Sequence, residues 1–167
     1  MKRKYLILIT LSVVLLATAL VTVAFAGHNP RLARVRAATA RFQRTEAAQA
    51  AGWDLVPGLD HCFDNPGVGA MGFHYINTGL LDTELDPLLP EAMVYAPLRN
   101  GKLKLGAVEY IVPAEAWDTA GHSEPPQVLG HSLHLNEALG VYVLHAWIWK
   151  HNPAGIFEDW NPRVACP

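Results

Sequence analysis

Two histidines and a glutamate stand in three apolar, strand-like stretches of the chain: His74 in MGFHYIN, Glu109 in LKLGAVEYIVP and His145 in VYVLHAWIWK. Strands bring sequence-distant residues side by side. Two imidazoles and a carboxylate could therefore converge on one divalent ion, Fe(II) or Zn, and leave positions open for water or substrate. Along residues 103–112 side chains alternate between faces, which groups Glu109 with Leu103, Leu105, Ala107 and Ile111 and turns Lys104 away. A carboxylate on an apolar face must be paired, hydrogen-bonded, protonated or bound to a metal. The plainer account is a strand-end glutamate holding an arginine or a backbone amide.

His145 shares its face with Val141, Val143, Trp147 and Trp149, and taken alone it reads as a core histidine satisfied by its neighbours. His74 shares its face with Gly72 and Ile76, and the glycine leaves room for a ligand or another backbone to approach. His134 could reach the same site from a loop as a fourth ligand. The aromatic residues Tyr75, Tyr110, Trp147 and Trp149 are the candidate walls of a pocket for an apolar or aromatic small molecule. His151 lies six residues beyond His145, about 20 Å along an extended strand, too far to share an ion unless the strand breaks. His61 and His122 occupy polar turn contexts and read as surface residues.

Other chemistries find little support. Gly130-His131-Ser132-Leu133-His134 is similar to a nucleophile elbow, but its last glycine is replaced, and the elbow needs a larger parallel sheet than this chain can build. Glycine-rich phosphate loops, haem-attachment motifs and iron–sulfur spacings do not occur. Methionine is too sparse for copper(I) carriage through thioethers.

The elements that must position these residues begin with a helix. Asn29-Pro30 supplies a cap and a first-turn proline, and RLARVRAATARFQRTEAAQAA follows, rich in helix formers. The pattern predicts one long amphipathic helix to about Ala51, with Leu32, Val35 and Phe42 on one stripe and Gly52 as its stop. From Met71 onward, apolar runs of strand length alternate with turn signals. Asn100-Gly101 between AMVYAPL and KLKLGAVEYIVP predicts a hairpin, and PAEAWDTAG a short helix. The fold class expected is α+β: one long N-terminal helix and a mostly antiparallel sheet that could curl toward a barrel.

The first residues set the compartment. MKRKY, an apolar run from Leu6 to Val23, and Ala24-Phe25-Ala26 compose a signal peptide over residues 1–26, with 27–167 as a single extracytoplasmic domain. The run is nearly long enough to span a bilayer, so an uncleaved anchor is the rival, and the only route to a membrane. Two cysteines, Cys62 and Cys166, suit a disulfide in an oxidising compartment, with paired thiolate ligands as the alternative. The net charge of −2 becomes more acidic once Lys2, Arg3 and Lys4 are removed, which argues against a nucleic-acid partner.

The strings MGFHYIN, DPLLPEAMVYAP, LGAVEYIVP and LHAWIWKHNPAGIFEDWNPRVAC resemble a family of small exported bacterial proteins without an assigned function. The resemblance implies an exported single domain and no activity. Two functions follow from the residues. One is an exported metal-binding protein, with room for a metalloenzyme acting on an apolar or aromatic small molecule. The other is a non-enzymatic secreted module with a buried polar network.

Overall fold

The hydrophobic alternation that begins at Met71 becomes a seven-stranded antiparallel sheet. The structure, a computed structural model, describes residues 29–167, so the expected signal segment 1–26 lies outside the described residues. The central strands are β3 (Gly69–Ile76), β4 (Ala92–Pro97), β5 (Leu103–Pro113) and β9 (Val141–Ala146). Short pieces extend them: β1 (Asp54–Leu55) and β2 (Phe63–Asn65) both pair with β3, and β8 (His134–Asn136) pairs with β9. The order is β1-β3-β4-β5-β9-β8 with β2 beside β3, and among the described residues no ladder joins the two ends. The sheet is open rather than a closed barrel. A separate two-stranded ribbon is formed by β6 (Gln127–Val128) and β7 (His131–Ser132).

The expected long N-terminal helix is absent. Instead α1 (Pro30–Thr39) passes through a 3-10 turn at Ala40–Phe42, and a separate α2 (Thr45–Gln49) follows an extended Arg44. Asn29 does cap the start, its Oδ1 accepting from Arg31 N at 3.0 Å. The break has two causes. Thr39 Oγ1 donates back to Val35 O at 2.9 Å, a bond that bends helices. Tyr95, on the sheet, then donates its hydroxyl to Phe42 O at 2.8 Å, taking a carbonyl that a continuous helix would use internally. Phe42 turns inward against Trp53 with ring centroids 5.0 Å apart, and burial outweighs intrinsic helix propensity.

The 3-10 turn and α2 pack on one face of the sheet, where Tyr75, Met93, Tyr95, Leu105, Val108 and Tyr110 are buried. The other face carries Ala70, Val94, Ala96, Ala107 and Trp147 at one end and Ile76, Ala92, Ile111 and Val143 at the other, two apolar clusters with polar residues between them. The Asn100-Gly101 hairpin forms as its dipeptide predicts, with Gly101 N donating to Leu98 O at 2.9 Å. A bulge follows it. Val94 faces Ala107 but Tyr95 faces Leu105, so Gly106 is the extra residue. Unbroken alternation puts Leu105 beside Glu109; the bulge moves it to the helix-covered face.

The C-terminal tail wraps this second face through its two Asn-Pro turns. Asn152 Nδ2 donates to Trp160 O at 3.1 Å, and Asn161 exchanges two backbone bonds with Ala70, at 3.1 and 3.2 Å. Cys62 and Cys166 form the disulfide that ties the tail down, across a separation of 104 residues. That bond is compatible with an oxidising compartment. Among the described residues no helix is long and apolar enough to cross a membrane.

Candidate metal centre

Glu109 and His145 are direct cross-strand partners in the β5–β9 ladder, and Ile76, Ala92, Glu109 and His145 form one row across four strands. His74 sits one row away on β3, opposite Val94. Strands lie about 4.8 Å apart, so β3 and β9 would be roughly 14 Å apart on a flat sheet. Here His74 Nε2 and His145 Nε2 are 3.2 Å apart. The two imidazoles therefore lean toward each other across β4 and β5.

Glu109 completes the group. Its Oε2 lies 3.5 Å from His74 Nε2 and its Oε1 3.7 Å from His145 Nε2. One ligand atom from each of the three residues lies within 4.8 Å of the others, and all three residues are buried. Ligand bonds of about 2.0–2.2 Å hold two donors on one ion about 3–3.6 Å apart, depending on bond angle. The His–His and closer His–Glu separations meet that requirement, and a small rotation of the carboxylate brings in its second oxygen.

Outer contacts orient one imidazole. Asp159 Oδ1 lies 3.1 Å from His145 Nδ1, and its Oδ2 lies 3.0 Å from His134 Nε2. A proton held on His145 Nδ1 by this carboxylate would leave the Nε2 lone pair free for an ion in the cluster, the arrangement found behind metal-ligating histidines. Asp159 is aimed by its neighbours: Glu158 O accepts from Trp147 Nε1 at 2.6 Å, and Trp160 O accepts from Asn152. The His74 ring packs against Phe63 at 5.1 Å in an edge geometry, and its buried Nδ1 has no hydrogen-bond partner among the described residues.

Burial dominates the electrostatics. It drives the His74 pKa down to about 3, helped by the charge of His145, so this imidazole is neutral. Burial also pushes Glu109 up, toward the neutral acid, with His145 opposing. Burial works against the His145 imidazolium too, yet Glu109 and Asp159 prevail and raise its pKa. Burial likewise opposes the Asp159 charge, but hydrogen bonds and charge from His145 and His134 hold it low. A buried carboxylate short of positive charge, facing two imidazole nitrogens, suits a divalent cation.

No family model, no curated protein and no solved structure matches this chain. The site must be read from its own chemistry.

A cavity of about 250 Å³ opens against the cluster, with Leu59, Ile76, Leu81, Ile111, Leu139 and Val143 among its walls and His74, Glu109, His145 and Asp159 at its polar end. None of the four expected aromatic walls lines it. Tyr75 and Tyr110 neighbour the cluster residues in sequence and so face the helices, Tyr110 donating to Pro87 O at 2.7 Å. Trp147 shares the face of His145 but packs into the cluster with Ala96 and Val164. Trp149 lies past the strand end under Arg36, its Nε1 donating to Thr39 Oγ1 at 3.1 Å. Phe63, Met71 and Trp160 supply bulk instead.

His134 is not part of the three-residue group. It stands one carboxylate further out, with its side chain half exposed. Asp159 escaped the sequence reading because the tail segment IFEDWNP has no periodicity to assign it a face.

Proposed function

We propose that this protein is exported and binds one divalent first-row transition ion, Fe(II) or Zn, through His74, Glu109 and His145. Two neutral imidazoles and one carboxylate leave coordination positions for water or a substrate, which is the donor set of many hydrolytic and oxidative metal centres. The carrying observation is the convergence of three buried donors from three separate strands at ligand-to-ligand distances, with Asp159 behind His145. The apolar cavity would present a small molecule to the open positions, which supports a metalloenzyme over a metal store.

One observation favours a second reading. The 3.2 Å contact between His74 and His145 can be a direct hydrogen bond, and a buried polar network then needs no ion. Metal titration separates the two. Chelated full-length protein should take up one equivalent of Zn or Co(II). Glu109→Gln and His145→Ala should each weaken uptake at least about 100-fold, beyond the 10–100-fold typical of losing an outer partner. Stability unaffected by metal, with no uptake above that of His145→Ala, would leave the hydrogen-bonded network as the answer.

A further inference from the structure

The cavity and its charges say what such a centre would accept. Among the described residues its lining contains two carboxylates, Glu109 and Asp159, and no lysine or arginine. A divalent ion held by neutral His74 and His145 and by the Glu109 carboxylate, with the Asp159 carboxylate behind His145, gives a net charge of zero over these groups. An incoming anion would break that balance inside an apolar cleft, with both carboxylates nearby and no cation on the walls to receive it. The remaining walls are aliphatic over most of their extent, and half-exposed Leu139 stands where the cavity meets solvent.

We propose that the cavity binds an uncharged, single-headed apolar molecule, whose one lone-pair donor (an azole nitrogen, an amide carbonyl or an alcohol) ligates the ion while its apolar tail lies between Ile76, Ile111 and Val143. Carboxylates of the same shape are excluded. Those three side chains line the cavity and belong to one apolar cluster on the face that carries the metal donors, so tail and head are served by adjacent parts of one surface. The inference rests on the metal reading above.

The test uses full-length protein loaded with Co(II), whose visible absorption reports ligands entering the metal's coordination shell. Imidazole, 4-phenylimidazole, acetate and phenylacetate are titrated in turn. Adding the phenyl group should tighten imidazole binding at least tenfold and should give acetate no comparable gain. Val143→Phe should abolish the phenyl gain. Leu139→Trp, at an exposed position that tolerates bulk, should reduce the gain if Val143→Phe does not fold. Cobalt uptake with no phenyl gain, an equal gain for the acid, or a gain untouched by the filling variants would each overturn this inference and leave the metal reading intact. No cobalt uptake would sink both.

Discussion

Glu91 shows how far burial reaches beyond the cluster. It is 2% exposed, and its Oε2 accepts from Ile111 N at 3.0 Å. Burial pushes its pKa up to about 8, with the Ile111 bond opposing. The folded protein thus holds a proton on Glu91 that the unfolded chain, with a carboxyl near 4.5, has already released. The associated stability is complete below about pH 4.5 and is lost as pH rises through about 8. At about 1.4 kcal/mol per pKa unit, several kcal/mol are at stake between those limits. Denaturant unfolding at pH 5 and pH 8 should show wild type losing clearly more stability than Glu91→Gln, which keeps an acceptor for Ile111 and does not titrate. Parallel losses in the two proteins would refute the assignment. At this scale the sequence is informative where alternation applies: His74, Glu109 and His145 were legible because each is the polar member of an apolar row. The same alternation, followed strictly, also turns Tyr75 and Tyr110 away from the site.

The elements were legible where local chemistry decides them and illegible where a distant residue does. Asn100-Gly101 announced its hairpin. The β6–β7 turn did not, because it places Leu129 at φ 59°, a conformation that turn-forming asparagine or glycine adopts far more readily. The helix break depends on Tyr95, more than fifty residues away from the carbonyl it takes. Strand β3 offers a sharper test. Gly72 has φ 109°, and a Cβ there would drive into the backbone oxygen of Tyr95 on β4. Gly67, at φ 84°, has open space around the same position. Alanine at either site carries the cost of positive φ, about 1–2 kcal/mol, but only Gly72→Ala must also push two strands apart. Gly72→Ala should therefore lower Tm by several degrees more than Gly67→Ala in thermal unfolding. Equal shifts would mean that the β3–β4 approach is not tight.

At the scale of the whole molecule, the disulfide joins the two segments that enclose the cluster. Cys62 is followed directly by Phe63, whose ring packs on His74, and Cys166 lies in the tail that carries Asp159 and Trp160. Closing a loop of this size contributes roughly 4–5 kcal/mol in the chain-entropy model. The tail also has its own anchors, the Asn161–Ala70 bonds and the Asn152 side chain, so it need not detach entirely without the bridge. Cys62→Ser/Cys166→Ser should therefore fold with a Tm lower by roughly 10 °C or more. Its metal affinity should fall about 10–100-fold, the range expected when an outer carboxylate loses its fixed aim at a ligating histidine. Asp159→Asn in the intact protein should reproduce the loss of affinity with a much smaller loss of stability. If the double serine variant bound metal as tightly as wild type while melting earlier, the bridge would be a stabiliser of the tail alone, and Asp159 would owe its position to the asparagine turns.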